Sequence, residues 1–306
     1  MIENVGKVIL DLSKYSGIDL YSDGLIEDKM LSLAMSSDCV SEDEISSSWP
    51  VYYHFSPIRE NIVSWLPIGP SDDVLEIGSG CGAITGAFSK MARKVDTIDL
   101  SKKRSLINAY RHKDKSNIRI HVGNFLDMNL PGKYDWISLI GVFEYAKEFG
   151  LGEDPYRTML LKVKQLLKPD GKLIIAIENK FGLKYWAGCR EDHTGKLFDN
   201  IQGYPDSAHV VTFSRNELEN LLRSAGFSGN TFYYPMPDYK LPKSIYSESH
   251  LPKKGEIRDQ IVNFDQDRLY LFDERLAWDE LLKADQFCFF ANSFLVISSL
   301  EEAAHD

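Results

Sequence analysis

A short buried strand that ends in a glycine-rich turn is the feature that most constrains this chain. Residues 74–77 form an apolar run around Glu76, and Gly78-Ser79-Gly80-Cys81-Gly82 follows at once. Apolar side chains then recur at helical spacing from Ile84 to Ala92. Glycine lets the backbone approach a ligand closely, and the first N–H groups of the following helix are free to bind it. The pattern predicts a ligand site at the end of this strand.

Strands and helices alternate after this turn. Further strands are predicted at 95–99, 118–122, 136–140, 172–177, 231–234 and 287–298. Two of the intervening helices have clear start signals, namely Asp154-Pro155 and a capping box formed by Ser214 and Glu217. The alternation predicts a mixed α/β fold, with a parallel sheet, helices on both faces and ligands at the carboxyl edge of the strands.

The chain is expected to have an N-terminal extension or cap at 1–60 and a main domain at 61–306. Two connections, at about 179–213 and 236–286, are too long for simple turns. We expect both of them, together with the extension, to build a lid over the ligand edge.

The composition excludes several classes of protein. Lysine and arginine number 35 against 45 aspartates and glutamates, and the net charge of −10 argues against a dedicated nucleic-acid binder. The basic run between Lys102 and Arg119 is expected to be the solvated face of a surface helix. No apolar run approaches the roughly 20 residues of a membrane span, and no signal peptide is recognised. The four cysteines lack metal-ligand spacing, so a reduced, cytoplasmic protein is expected.

Two ligands compete for the glycine turn. Gly78, Gly80 and Ala83 satisfy a relaxed dinucleotide pattern, which would place a pyrophosphate at the helix end. The third glycine, however, is Gly82, and the Glu76 carboxylate would repel a pyrophosphate. The same carboxylate suits a ligand that carries an amino group and a sulfonium charge.

Residues 76–82 closely resemble the first motif of class I S-adenosylmethionine (SAM) methyltransferases, E/D-x-G-x-G-x-G. The resemblance implies SAM as cofactor and a Rossmann-like sheet of seven strands, the last antiparallel. It implies that the glycine turn holds the methionine and ribose parts of SAM, that Asp99 binds the ribose, and that Asn124 and Phe125 face the adenine. Tyr53 and Arg59 are further candidates, with Arg59 clamping the SAM carboxylate. The full set of predicted cofactor residues is Glu76, Gly78, Ser79, Gly80, Gly82, Asp99, Leu100, Asn124, Phe125, Ile140, Tyr53 and Arg59.

The segment from Ile177 to Gly195 is dense in charges, aromatic rings and glycines. Its pattern, E-N-K-x-G-L-K-Y-W-x-G-x-x-E-D-H-x-G, resembles methyltransferases of bacterial surface-polysaccharide systems, as does the stretch 49–61. This resemblance implies a sugar or glycan hydroxyl as acceptor, with a glycosyltransferase partner or a homo-oligomer as possible assemblies. The predicted acceptor residues are Glu144, Glu178, Asn179, Tyr185, Trp186, Asp192 and His209.

A hydroxyl acceptor benefits from a base that takes its proton, and His193 is the candidate for that base. Glu191 or Asp192 beside it would raise its basicity. No metal is expected, because the side chains of Glu191, Asp192 and His193 diverge in an extended segment.

Three other functions remain open from the sequence. The acceptor could be another small molecule that is methylated at an amine or a carboxylate. The protein could be an NAD-dependent sugar oxidoreductase, or a non-catalytic SAM-fold scaffold for a glycosyltransferase.

Overall fold

The computed structural model describes residues 1–22, 24–36, 41–46, 48–150, 152–206, 208–259 and 266–300. The chain divides into two compact units, which are described separately. The first unit consists of Met1–Ile140 and Lys162–Leu173, and the second of Gly141–Leu161 and Ile174–Asp306. Of the four cysteines, Cys39 lies outside the described residues and the other three are free thiols. Within the described residues, no helix is both long and apolar enough to cross a membrane.

The first unit contains six complete strands and five α-helices. They are β1 (Ile2–Val5), β2 (Val8–Asp11), α1 (Ile26–Ser36), α2 (Glu42–Ile45), α3 (Trp49–Phe55), β3 (Asp73–Ile77), α4 (Thr85–Met91), β4 (Lys94–Asp99), α5 (Lys102–Arg111), β5 (Ile118–Val122) and β6 (Tyr134–Ile140). Short 3-10 helices lie at Pro57–Ile62 and Phe125–Asp127. The strand order is β1-β2-β5-β4-β3-β6. Only β1 and β2 pair antiparallel here, and the other neighbours pair parallel.

The second unit begins with a 3-10 helix at Phe143–Tyr145. It continues with α6 (Ala146–Phe149), α8 (Leu183–Trp186), α9 (Arg215–Ser224), β8 (Gly229–Met236), β9 (Ser244–Ser247), α10 (Glu274–Lys283), α11 (Phe287–Phe290) and β10 (Ser293–Ser299). Helix α7 (Pro155–Leu166) and strand β7 (Leu167–Glu178) contribute residues to both units. The strand order is β7-β10-β8-β9, in which β8 pairs antiparallel with both β10 and β9.

Burial of the strands explains why they form. In β3 and β4 the side chains of Val74, Leu75 and Val95 are fully buried, as are all five residues from Leu173 to Ile177 in β7. Burying each aliphatic side chain of this size contributes about 1.5–3 kcal/mol. Continuous apolar runs of this kind are typical of strands that are covered on both faces.

The mixed α/β architecture is confirmed, but the described residues contain ten strands and not seven. The seven predicted strands correspond to β3, β4, β5, β6, β7, β8 and β10. The additional strands are β1, β2 and β9. In β2 the alternate residues Val8 and Leu10 are fully buried, and β2 pairs with β5. A strand of four residues is too short for the alternation of apolar and polar side chains to be recognised in the sequence.

Several predicted boundaries were accurate and two were wrong. The capping box of α9 is present, and Asp154 caps α7 through a bond from Arg157 N. The strand predicted at 172–177 is longer than expected. Strand β7 begins at Leu167, and Pro169-Asp170-Gly171 lies within it.

The strand predicted at 287–298 begins only at Ser293. The preceding residues form α11, whose helical turn lets Phe287 pack 5.5 Å from Trp278 while Phe289 stacks 5.5 Å from Phe181. The two predicted insertions contain α8 in the first and β9 and α10 in the second. Their role as a lid stays a prediction.

Candidate active site

The glycine turn, residues 78–82, lies between β3 and α4 in the first unit. Gly78, Gly80 and Gly82 have φ angles of +73°, +52° and +78°, which disfavour any residue with a Cβ. At Gly82 a Cβ would lie 2.4 Å from Asn108 Oδ1. Gly82 therefore has no room for a side chain, whereas a Cβ on Gly80 would meet no atom closer than His54 Cε1 at 3.9 Å. The hydroxyl of Ser79 is buried and has no hydrogen-bond partner in the described part of the chain.

Asp99, the last residue of β4, holds the turn in place. Its Oδ2 accepts a hydrogen bond of 2.7 Å from Gly80 N, and its Oδ1 accepts one of 2.9 Å from Ser101 N. Burial raises the pKa of this carboxyl. A carboxylate has about four acceptor positions, so Asp99 retains capacity for hydroxyl donors.

Glu76 is a buried acid directly beneath the turn. Thr85 Oγ1 donates a hydrogen bond of 2.5 Å to its Oε2. Burial raises the pKa of Glu76 to about 8, against the opposing effects of Thr85 and of the positive charge of Arg59. The carboxyl group is therefore mostly protonated at neutral pH, and a cation placed beside it would favour the ionised form.

The segment around α3 contributes further side chains to the turn. The Arg59 guanidinium carbon lies 4.0 Å from the centre of the Tyr53 ring, and Arg59 is buried. His54 Cε1 lies 3.9 Å from the position that a Cβ on Gly80 would occupy. The sequence singled out Tyr53 and Arg59 for this region, and the structure brings Arg59 close enough to Glu76 to lower the pKa of that acid.

Helix α5 supports the turn from the other side, which the sequence analysis missed. Arg111 Nη1 donates to the carbonyls of His54 (2.8 Å) and Cys81 (2.6 Å), and His112 Nε2 lies 2.9 Å from the Gly82 carbonyl. Asn108 donates to Thr85 Oγ1 at 3.0 Å. Asn108, Arg111 and His112 share one helix face through i, i+3 and i+4 spacing, which is the signal that could have revealed them.

The basic run 102–119 was expected to be a solvated face, and this was wrong for two of its arginines. Arg104 is buried and pairs with Glu27 at 2.8 Å. Arg111 bonds to the glycine turn, as described above. The guanidinium groups of Arg104 and Arg111 thus lie against protein, where carboxylate and carbonyl oxygens accept their hydrogen bonds.

In the second unit, Glu144, Glu178 and His193 form a compact group that we call the acid–histidine cluster. They come from the 3-10 helix after β6, the end of β7 and the loop after α8. One oxygen or nitrogen atom of each lies within 4.8 Å of the others. Glu144 is 1% and Glu178 0% exposed. Glu144 Oε2 and His193 Nε2 are buried without a hydrogen-bond partner among the described residues.

The ring of His193 is oriented by its neighbours. Its Nδ1 lies 3.3 Å from the Tyr145 hydroxyl, and its Nε2 is buried without a hydrogen-bond partner among the described residues. Glu191 Oε2 accepts from the backbone N–H groups of His193 (2.8 Å) and Thr194 (2.6 Å). Glu144 and Glu178 each place an oxygen within 4.8 Å of a ring nitrogen of His193, whereas Glu191 bonds to its backbone. That Glu191 or Asp192 raises the basicity of His193 stays a prediction.

Two lysines compensate part of the negative charge around the cluster. Lys240 Nζ lies 2.8 Å from Glu178 Oε1 and also contacts Asp192 Oδ1. Lys184 Nζ lies 2.9 Å from Asp192 Oδ2 and 3.8 Å from Asp238 Oδ2. Four carboxyl groups (Glu144, Glu178, Asp192 and Asp238) thus face two ammonium groups. Neither lysine was predicted as a site residue. Lys240 lies far along the chain from the residues of the acid–histidine cluster.

The pKa values follow from this arrangement. Burial opposes ionisation of Asp192, but Lys184 and Lys240 hold its pKa well below the usual range. Burial likewise opposes ionisation of Glu178, yet Lys240 lowers its pKa. Burial and the adjacent Glu178 raise the pKa of Glu144 well above the usual range. Within this pair the surroundings therefore favour the ionised form of Glu178 and the protonated form of Glu144.

The cluster offers three atoms that a metal ion accepts as ligands. The sequence had considered Glu191, Asp192 and His193 for such a site, and only His193 belongs to this group. The Lys240 ammonium already lies against one Glu178 oxygen and competes with a metal for it.

A protein-family model described as a methyltransferase domain matches residues 52–230, more than half of the chain. This chain belongs to the SAM-dependent methyltransferase family. Its cofactor is SAM, and membership overturns the alternative of an NAD-dependent oxidoreductase. The buried Ser79 hydroxyl, the acceptor capacity of Asp99 and the glycine turn of this methyltransferase fit that cofactor.

The curated relatives of this methyltransferase have names that refer to different functions. Nodulation protein S of Azorhizobium caulinodans is 32% identical over 126 residues, which cover 41% of this chain and 55% of that protein. Dimethyladenosine transferase of Candida glabrata is 22% identical over 167 residues, covering 53% of this chain and 48% of that protein. The chain thus spans about half the length of the curated relatives it matches.

A solved structure of similar fold is Haemonchus contortus phosphoethanolamine N-methyltransferase 1, in complex with phosphoethanolamine and S-adenosylhomocysteine. It has a TM-score of 0.50 and 13% identity, and the match covers 94% of this chain and 51% of that one. This similarity supports the Rossmann-like methyltransferase fold and carries no information on the acceptor.

Some predicted site residues of this methyltransferase have structural roles. Asn179 is buried, donates to the carbonyls of Phe289 and Ala291 and accepts from Phe181 N, so it has little capacity left for an acceptor. Tyr185 is fully buried and donates to Asp192 Oδ2 at 2.6 Å, so its ring is no sugar platform.

Four other predicted site residues are exposed or half-buried. Trp186 is 39% exposed, and His209 is exposed outside the cluster. Ile140, the last residue of β6, and Leu100, which directly follows β4, are half-buried.

The predicted adenine contacts stay predictions. Phe125 is 4% exposed, and Lys162 Nζ lies 5.1 Å from the centre of its ring. Asn124 accepts from Leu126 N through Oδ1.

Proposed function

We propose that this protein methylates a hydroxyl group of a sugar or glycan, within the biosynthesis of a bacterial surface polysaccharide. The observation that carries the proposal is the ring of His193, which lies beside Glu144 and Glu178 and whose buried Nε2 has no hydrogen-bond partner among the residues that the structure describes. The segment that resembles polysaccharide methyltransferases supplies Glu178, Asp192 and His193. We include a glycosyltransferase partner or a homo-oligomer, and a cytoplasmic location, in this proposal on the strength of the same resemblance.

The first unit supplies the groups that would hold the cofactor. Asp99 accepts hydrogen bonds from the ribose hydroxyls, and the N–H groups and hydroxyl of Ser79 and the glycine turn bind the adjoining part. Glu76 pairs with the ammonium group, and Arg59, packed on Tyr53, pairs with the carboxylate. Leu100 and Ile140 line the site through their backbone. When bound, SAM supplies an electrophilic methyl carbon, so positioning of the acceptor accounts for much of the rate.

His193 is the proposed general base. Its Nε2 takes the proton from the acceptor hydroxyl as the oxygen bonds to the methyl carbon, while Tyr145 holds Nδ1. The imidazolium that forms is stabilised by the ionised Glu178 carboxylate. General-base assistance of this kind contributes about 10²–10⁴-fold to a rate.

A second candidate is an amine acceptor, which the excess of acid around His193 favours. With Glu144 neutral, the carboxylates of Glu178, Asp192 and Asp238 face two lysines, and a protonated amine would balance the one remaining negative charge. The bound ammonium group would have to give one proton, for example to His193, before its nitrogen lone pair bonds to the methyl carbon.

Transfer of a labelled methyl group from SAM into extracts of cell-envelope sugars tests the proposal. We expect an alkali-stable methyl ether, and a loss of about 10²-fold or more in kcat with His193→Ala. The exposed His209→Ala is the matched control and should retain activity. An N-methyl product with activity retained in His193→Ala would support the amine acceptor. Loss of activity on chelation would contradict the base role of His193.

A further inference from the structure

A separate pocket of about 360 Å³ lies in the second unit, outside the acid–histidine cluster. Its wall includes Lys147, Lys180, Tyr204, Thr212, Phe213 and Glu217. Small-molecule sites have volumes of about 300–1,000 Å³, so this pocket is large enough for one sugar unit or its substituent. We call it the lysine pocket.

The charge of the lysine pocket is positive. Lys147 Nζ donates to the Ala208 carbonyl at 2.9 Å, and no carboxylate pairs with it within the part of the chain that the structure describes. Lys180 Nζ lies 3.0 Å from Glu217 Oε1, and the other oxygen of Glu217 caps α9 by accepting from Ser214 N. Glu217 therefore fixes Lys180 in place but leaves the charge of Lys147 uncompensated.

The lysine pocket shares its supporting elements with the acid–histidine cluster. Tyr204 donates to Glu191 Oε1 at 3.3 Å, and the other oxygen of Glu191 holds the backbone of His193. Lys147 follows Glu144 by three residues, and Lys180 follows Glu178 by two. The lysine pocket and the acid–histidine cluster are therefore built on neighbouring positions of the same chain segments.

We propose that the lysine pocket binds a negatively charged substituent, a carboxylate or a phosphate, of the acceptor sugar. Charge-assisted hydrogen bonds from Lys147 and Lys180 recognise the anion, and Phe213 and Tyr204 form the apolar wall beside it. The proposal rests on the proposed function for the identity of the acceptor as a sugar. It narrows the substrate class to acidic or phosphorylated sugars.

Direct binding by saturation-transfer NMR tests this proposal on the full chain with S-adenosylhomocysteine present. The probes are D-glucuronate for a carboxylate, D-glucose 6-phosphate for a phosphate, and methyl D-glucoside as the neutral sugar. We expect at least one anionic sugar to bind about tenfold more tightly than the neutral one, with Lys147→Met abolishing most of the difference. The anion that gains more identifies the substituent. Lys180→Met should weaken anion binding at least as much, because it removes one ammonium group and leaves the Glu217 carboxylate without its partner.

The matched control is Lys196→Met, since Lys196 is an exposed lysine of the same unit that pairs with Asp206 at 2.6 Å. It should leave binding unchanged. Equal binding of neutral and anionic sugars, absence of binding by either anion, or anion binding that survives both Lys147→Met and Lys180→Met would overturn the proposal. Because binding is read without turnover, loss of methyl transfer with retained Lys147-dependent binding would refute only the proposed reaction.

Discussion

Glu76 is a residue whose protonation the fold has changed. The carboxyl group is buried beneath the glycine turn, its bond from Thr85 uses one oxygen, and its pKa is raised to about 8. An acid in this state is neutral when no cation is present. If Glu76 pairs with the ammonium group of the cofactor, binding below pH 8 must release a proton.

This linkage gives a prediction for S-adenosylhomocysteine, which carries the same ammonium group as SAM. Affinity should rise between pH 6 and about 8 and then level off, with close to one proton released at pH 7. Glu76→Gln should remove this proton release and weaken binding at high pH. Calorimetric titration in two buffers of different ionisation enthalpy measures it. Asp114→Asn, on the surface, is the control, and a wild-type protein that releases no proton at pH 7 would refute the pairing.

Helix α5 illustrates how one element sets the geometry of another. Its residues Asn108, Arg111 and His112 contact Thr85 and the carbonyls of Cys81 and Gly82. The apolar spacing of α5 predicts the helix, but only the structure shows that its polar face meets a turn. Burial lowers the pKa of Arg111 to about 10, and the group stays charged at neutral pH.

Replacing Arg111 should therefore damage the turn more than the helix. Arg111→Met leaves the carbonyls of His54 and Cys81 without this donor, which should cost about 1–3 kcal/mol of unfolding free energy. We expect a lower melting temperature together with about tenfold weaker S-adenosylhomocysteine binding, because the turn is less preorganised. Lys115→Met, just beyond the helix, should change neither quantity. Wild-type affinity in Arg111→Met would show that the turn does not depend on α5.

At the scale of the whole molecule, features specified by a few consecutive residues could be predicted from the sequence, whereas contacts between distant segments could not. The glycine turn, Asp99 and the caps of α7 and α9 were predictable because each is specified within a few consecutive residues. The acid–histidine cluster was only half predictable: His193, Glu144 and Glu178 were named, but their mutual approach was not. Lys240 was missed, since 62 positions separate it from Glu178 and no spacing rule connects them. Strands β1, β2 and β9 were not predicted, because four residues are too few to show an alternation of apolar and polar side chains.

Lys240 joins distant parts of the chain through charge, and its removal should affect stability. Lys240→Met leaves Glu178 buried without this ammonium, which should destabilise the protein by about 3 kcal/mol at neutral pH. Lys240 lowers the pKa of Glu178, so this contribution exists above the pKa of the unfolded acid and disappears as pH falls.

Denaturant unfolding at neutral and acidic pH tests this, and the difference between variant and wild type should shrink near pH 4. Lys243→Met, three residues along, removes an exposed pair with Asp259 and should have little effect. A pH-independent difference would mean that Lys240 acts through packing alone. Lys240→Arg should recover part of the stability.

The hairpin of β1 and β2 has a consequence for synthesis on the ribosome. Ile9 pairs with Arg119, so 110 residues must be added before β2 meets its parallel neighbour. At about 5–20 residues per second, translation leaves these first strands waiting for about 5–20 s. A lone two-stranded hairpin is at best marginally stable in water, and Val8 and Leu10, later fully buried, are uncovered during that interval. Chaperones should therefore bind the β1–β2 hairpin of nascent chains until β5 has emerged from the exit tunnel.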